Sequence, residues 1–165
     1  MKSKTQIIII MGVAGCGKST IGSMLAHELG WDFYDADDFH SESNRIKMAQ
    51  NIPLTDEDRA GWLDSLRNLI GQNIQNEKTI VLACSALKKS YRDILIINDQ
   101  VEFIYLRGTY EQIEARLLQR SGHFMSAKML ASQFDILEEP QDALTIDISH
   151  TPQEIISIIR KGLAL

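Results

Sequence analysis

The sequence predicts an α/β protein, a parallel sheet of five strands with helices on both faces. Three observations predict it. Strand-length runs of apolar, β-branched or aromatic residues recur at 6–11, 32–34, 79–84, 101–106 and 144–148. Stretches of helical character separate them, near 18–29, 42–50, 57–75, 88–96, 110–120, 126–137 and 152–163. The first run, Ile7-Ile8-Ile9-Ile10-Met11, opens directly into a glycine-rich turn and then a helix.

Each element has a local reason. Thr79-Ile80-Val81-Leu82-Ala83 and Val101-Glu102-Phe103-Ile104-Tyr105-Leu106 are short and mostly apolar, as parallel strands covered on both faces must be. The last helix opens at Thr151-Pro152-Gln153-Glu154, with Thr as cap and Pro at the first helical position. Its Ile and Leu residues at 155, 156, 158, 159 and 163 form a core-facing stripe. Trp31, Trp62, Met125 and Met129 read as packing residues. Strand–helix alternation implies right-handed crossovers, with ligands bound at the carboxyl ends of the strands.

A chain of 165 residues without repeats or linkers is expected to form one domain, 1–165. The net charge of −5 and pI of about 5.3 disfavour nucleic acid as a partner. The longest apolar run, five residues, is too short to cross a membrane. Met1-Lys2-Ser3-Lys4 is not followed by a signal-peptide core. Cys16 and Cys84 make no disulfide framework, which points to a reducing, cytoplasmic setting.

The turn after the first strand reads Gly12-Val13-Ala14-Gly15-Cys16-Gly17-Lys18-Ser19. This is the phosphate-binding loop, with glycine, four residues, then Gly-Lys-Ser between a buried strand and a helix. The fold class is therefore of the P-loop NTPase type. Glycines let backbone N–H groups curl round phosphate oxygens. Lys18 places charge on the β- and γ-phosphates, and the Ser19 hydroxyl can ligate Mg²⁺. The helix N-terminus adds its own positive field. ATP and Mg²⁺ are the expected cofactors.

The other strand ends also carry chemistry. Asp35 and Asp37 follow the second strand, and an extended chain points both the same way. One suits the metal's surroundings and the other suits a base accepting a proton from an attacking hydroxyl. Asp37 is read as the base and Asp35 as the residue near Mg²⁺. Lys88 and Arg92 follow the third strand, four apart and so on one helical face, either holding an anion or solvated. Arg116 and Arg120 share a face and lead into Ser121-Gly122-His123-Phe124, the pattern of a mobile helical lid at about 116–137 that closes over the nucleotide. His123 is either a ligand or a packed histidine.

Taken together these segments resemble the gluconate kinases of the thermoresistant gluconokinase family. The matching pieces are residues 11–19, Asp35-Ala36-Asp37-Asp38-Phe39-His40, Asn44-x-x-Lys47-Met48, and Ile52-Pro53-Leu54-Thr55-Asp56-Glu57-Asp58-Arg59 with Trp62-Leu63. Cys84-Ser85-Ala86-Leu87-Lys88, Tyr91-Arg92-Asp93, Gly122-His123-Phe124-Met125, Ser132-Gln133-Phe134 and Leu137-Glu138-Glu139-Pro140 follow in order. The phosphate loop alone specifies only a nucleotide site; the stretches 35–63 and 84–93 make the match specific.

The resemblance implies ATP-dependent phosphorylation of D-gluconate at its 6-hydroxyl, giving 6-phosphogluconate and ADP. It implies that Lys18, Asp37 and Arg120 are catalytic. Gly12, Val13, Ala14, Gly15, Cys16, Gly17, Lys18, Ser19, Thr20, Arg116, Arg120, Thr151 and Pro152 would bind nucleotide. Asp37, His40, Lys47, Arg59, Ser85, Lys88, Arg92, His123 and Gln133 would bind gluconate, with Arg59, Lys88 and Arg92 unranked for its carboxylate. Ser19 and Asp35 would serve the metal. A homodimer is implied too. Three features depart from the family pattern: Asn51 stands where glycine is usual, Ile96 where an arginine commonly follows Leu95, and the segment between Pro140 and Thr145 is short. Rival readings are a kinase of another small acid such as shikimate, a nucleotide or adenylylsulfate kinase, and a nucleotide-binding regulator. The 44–63 segment argues against the first, and retention of Lys18, Ser19, Asp35 and Asp37 against the last.

Overall fold

The computed structural model describes residues 6–119 and 127–165. β1 (Ile7–Met11) is buried along its whole length, because it lies between β3 (Ile80–Ala83) and β4 (Val101–Arg107). β2 (Asp32–Asp35) and β5 (Leu144–Asp147) close the sheet at its edges. All pairings are parallel and the order is β2-β3-β1-β4-β5.

Side chains alternate across a strand, so β1 serves two cores. Ile8 and Ile10 meet α1 (Lys18–Leu29), α5 (Tyr110–Gln119) and α7 (Pro152–Leu163) through Ile21, Leu25, Ile113, Leu117, Ile155 and Ile159. Ile7, Ile9 and Met11 meet α3 (Asp56–Gln75) and α4 (Lys89–Leu95) through Trp62, Leu66, Ile70, Tyr91 and Leu95. α2 (Glu42–Ala49) and α6 (Ala127–Ile136) complete the helices.

The sequence-based bounds agree with these elements to within one residue, and the predicted α7 start is present as read. Thr151 accepts a hydrogen bond from the Glu154 N–H, and Pro152 opens the helix. α3 starts the same way, its Thr55 and Asp58 capping each other. A short 3₁₀ helix, Ala36–Phe39, was not predicted. Asn51 holds φ at 58°, the left-handed turn that glycine would take and that Asn tolerates. Among the described residues no helix is long and apolar enough to cross a membrane.

β3 and β4 lie on opposite sides of β1, so the crevice past Met11 is the topological switch point. Leu66 anchors α3 with no exposed surface. Leu66→Ala is expected to lower stability by about 3 kcal/mol, read as a shift in urea midpoint at unchanged slope.

Candidate active site

The loop after β1 is wedged between neighbouring strand ends. The Gly12 N–H donates to the Ser85 carbonyl at 3.3 Å, tying the loop to the chain beyond β3. A Cβ on Gly12, at φ 149°, would lie 2.7 Å from Cys16 Sγ and 2.9 Å from the Leu106 carbonyl oxygen. The approach is closed to any larger residue. On Gly15, at φ 83°, a Cβ would press on Leu117 of α5 at 3.0 Å. Val13 is buried and offers its carbonyl to Lys18 Nζ at 3.1 Å. Thr20 is exposed in the first turn of α1. Cys16 and Cys84 are free, buried thiols, and burial pushes Cys84 up to about 12, leaving it an unreactive thiol.

Ser19 and the two aspartates converge. Ser19 Oγ donates to Asp35 Oδ2 at 2.6 Å. Asp35 Oδ1 accepts the Asp37 N–H at 3.0 Å and so caps the 3₁₀ helix. The aspartates are thus brought together by a helical turn, not by the extended chain expected from the sequence. Burial in the cleft pushes the Asp37 carboxyl above its ordinary value; the Asp35 charge adds to this, and Lys18 opposes it. The side chain still opens to solvent, as a base meeting a substrate requires.

The basic residues differ in what they have left to offer. Lys47 Nζ pairs with Asp58 at 2.9 and 3.0 Å. Lys88 Nζ pairs with Asp56 at 2.9 Å. The Tyr91 hydroxyl also donates to Asp56, and these two hydrogen bonds, Tyr91's first, hold the Asp56 carboxyl below its usual range. Arg59 uses one terminal nitrogen, donating to the Leu54 carbonyl at 2.8 Å and the Tyr91 hydroxyl at 3.2 Å. Its guanidinium lies over the Tyr91 ring, 5.5 Å from the centroid. Nε and Nη2 of Arg59 make no hydrogen bond among the described residues, which ranks Arg59 first for an anionic group.

Arg92 corrects the sequence reading. Lys88 precedes α4 as its cap, so Lys88 and Arg92 do not share a face. Arg92 is buried and donates to the Ala86 and Leu87 carbonyls at 2.8 and 3.2 Å and to the Glu138 carbonyl at 2.8 Å. It braces a turn in which buried Ala86 holds φ at 44°. Those contacts commit both terminal nitrogens of Arg92 to backbone carbonyls.

On the other side of the loop, Arg116 donates to the Cys16 carbonyl at 3.4 Å and to the Ile148 carbonyl. Thr151 and Pro152 stand just beyond, starting α7. Gln133 of α6 reaches across to accept the Ala14 N–H at 2.8 Å. Ser85 enters through its backbone. Arg120 and His123 lie outside the described residues.

A loop for phosphate, a serine–aspartate pair and a raised carboxyl lie together, and an arginine with unused donors acts on His40 at the end of the same turn. The family model described as shikimate kinase matches residues 14–158. The thermosensitive gluconokinase of Escherichia coli (strain K12) is 47% identical over 160 residues, covering 94% of this chain and 86% of that protein. The chain belongs to the gluconokinase family. The gluconokinase of Arabidopsis thaliana is 43% identical over 175 residues, 96% of this chain and 93% of that one. A crystal structure of a gluconokinase from Sinorhizobium meliloti 1021 matches with a TM-score of 0.88 at 35% identity, over 99% of this chain and 94% of that chain.

Within this gluconokinase-family fold, four site-forming residues were not singled out from the sequence for what they do. Asn44 bridges His40 and the Asp58 carbonyl. Trp62 stacks on His40 at 4.5 Å. Asp56 and Tyr91 set the surroundings of Arg59 and Lys88. Asp56 and Tyr91 are 35 positions apart, and no spacing rule joins them. Ile96, the second departure from the family pattern, is an exposed residue at the end of α4.

Two measurements test this geometry. Arg92→Met leaves three carbonyls without their donor, so stability is expected to fall by about 3 kcal/mol, with the effect in the urea midpoint and not in acceptor KM. Burial, then the charges of Arg59 and Arg45, hold His40 down at about 4. An unfolded histidine takes its proton near 6.5, so the unfolded state gains as pH drops through the window from there to about 4. The stability lost is up to roughly 3 kcal/mol. Urea unfolding across that window should show the slope in the wild type and lack it in His40→Gln.

Proposed function

We propose that the chain transfers the γ-phosphoryl group of ATP to the 6-hydroxyl of D-gluconate, giving 6-phosphogluconate and ADP and feeding gluconate into central carbohydrate metabolism. Identity to gluconokinases along nearly the whole chain carries the reading. The crevice supports it. Asp37 takes the proton of the 6-hydroxyl as that oxygen attacks the γ-phosphorus. The bond from phosphorus to the β,γ-bridging oxygen breaks, and its electron pair leaves with ADP. Lys18 and the loop N–H groups hold the phosphate oxygens, and Arg120 is proposed to act on the transferred phosphoryl group. Arg116, Thr151 and Pro152 border the adenine side. Arg59 takes the gluconate carboxylate through Nε and Nη2, assisted by Lys88. His40, Lys47, Ser85, His123 and Gln133 complete the acceptor set.

Ser19 and Asp35 fit a magnesium site. Their oxygens are hard donors already 2.6 Å apart. Among the described residues no group of three or more His, Cys, Asp or Glu could hold a metal alone. That suits an ion drawing its other ligands from phosphate and water. When bound, Mg²⁺ neutralises charge on the β- and γ-phosphates. A single domain over 1–165, a lid at about 116–137, a cytoplasmic setting and a homodimer complete the proposal.

A coupled ADP-release assay with Mg-ATP against gluconate, other aldonates and shikimate tests the reading. Turnover on gluconate is expected, and turnover on shikimate in its place would overturn it. Asp37→Asn should lower kcat at least ~100-fold while ATP binding by calorimetry stays near wild type.

A further inference from the structure

The His40 ring is fixed on two sides. Its plane lies against Trp62 with centroids 4.5 Å apart and planes at 11°. The Trp62 indole N–H is itself anchored on the Ala36 carbonyl at 2.7 Å. His40 Nδ1 lies 3.2 Å from Asn44 Nδ2. That same Nδ2 lies 2.8 Å from the Asp58 carbonyl oxygen. A carbonyl oxygen only accepts, so the Asn44 atom facing it is the amide nitrogen, which only donates. Its second hydrogen points at His40 Nδ1, and Nδ1 therefore carries a lone pair. The proton of the neutral imidazole sits on Nε2.

Neutrality follows from the surroundings: the ring is buried and faces the positive charges of Arg59 and Arg45. Nε2–H makes no hydrogen bond among the described residues. His40 stands at the end of the 3₁₀ turn that carries Asp37, and its backbone N–H donates to the Asp37 carbonyl at 3.4 Å. A polyol hydroxyl both donates and accepts. The carboxylate of Asp37 can only accept, so the crevice needs a donor for the oxygen lone pairs.

We propose that His40 Nε2–H is a fixed, neutral donor to a hydroxyl oxygen of the acceptor substrate, and that Asn44 is the positioning residue that sets this tautomer. The proposal rests on the gluconokinase reading for the identity of the polyol. It makes recognition directional: a hydroxyl or carbonyl oxygen at that place is accepted, and an ammonium group is refused.

Two readouts test it. Long-range ¹⁵N–¹H correlation of the imidazoles in the substrate-free full chain should show His40 as the Nε2–H tautomer, and as a mixture in Asn44→Ala. In kinetics, Gln places an amide nitrogen near the position of Nε2, and Asn places one near Nδ1. His40→Gln should keep gluconate KM within about threefold, whereas His40→Asn should raise it at least about tenfold. The KM for Mg-ATP should stay unchanged in both. Asn44→Ala should raise gluconate KM with kcat held. An Nδ1–H tautomer in the wild type, or equal damage from Gln and Asn at position 40, would overturn the proposal. Failure of the gluconokinase reading would look different: the wild type would not turn gluconate over, while the tautomer signal would stand.

Discussion

The structure depends on one constraint: a strand buried on both faces has to end in backbone that accepts phosphate. β1 has no exposed surface, so its last residue delivers the chain into a crevice already walled by β3 and β4. Only a chain without a Cβ at position 12 passes, because Cys16 Sγ and the Leu106 carbonyl occupy the space. The chain bends there, leaves the sheet ladder and offers its N–H groups to an anion. Net charge works against this, at −5 over the whole chain. Binding a polyanion therefore rests on local field: loop N–H groups, the start of α1 and Lys18.

The two cores divide the labour. The face covered by α1, α5 and α7 carries the nucleotide side, where Arg116 ties the loop carbonyl of Cys16 to the turn after β5. The face covered by α3 and α4 carries the proposed acceptor side, where Arg59, Lys88, Tyr91 and Asp56 interlock. β1 belongs to both, with alternate side chains in each. A shift of that strand would disturb both subsites together. Lys47 and Lys88 each have a carboxylate partner, and Arg92 is committed to carbonyls. Arg59 keeps Nε and Nη2 in reserve, a difference from the two lysines that composition cannot reveal.

The elements were legible because their signals are local. Four isoleucines before a glycine loop, a Thr-Pro-x-Glu helix start and Asn at a left-handed turn each carry their own physical cause. The phosphate loop was legible for the same reason: its chemistry is written in eight consecutive residues. Arg92 was misread because helical spacing assigns a face only inside a helix, and Lys88 lies just before α4 begins. The 3₁₀ helix after β2, four residues long, is too short to show a helical period in the sequence, and its cap is Asp35, which accepts from the Asp37 N–H. Trp62 was assigned to packing, and it is buried, but its indole edge and face also set the His40 ring.

Asp58 shows why the specific part of this chain lies at 44–63 and not in the phosphate loop. Its carboxylate accepts the Thr55 N–H and the Lys47 ammonium, so it starts α3 and ties α2 to it. Its carbonyl accepts from Asn44, which in turn meets His40. One residue thus joins a helix cap to the orientation of a ring beside the proposed base. A phosphate loop needs only glycines, a lysine and a hydroxyl, and any phosphate-bearing ligand meets the same backbone. An acceptor pocket needs side chains from separate elements held in one arrangement. Capping interactions can do that, since they are directional and fix where a helix begins. The helix start of α3 is therefore both a stability element and the frame of the proposed acceptor site. Substitutions there are expected to couple the two.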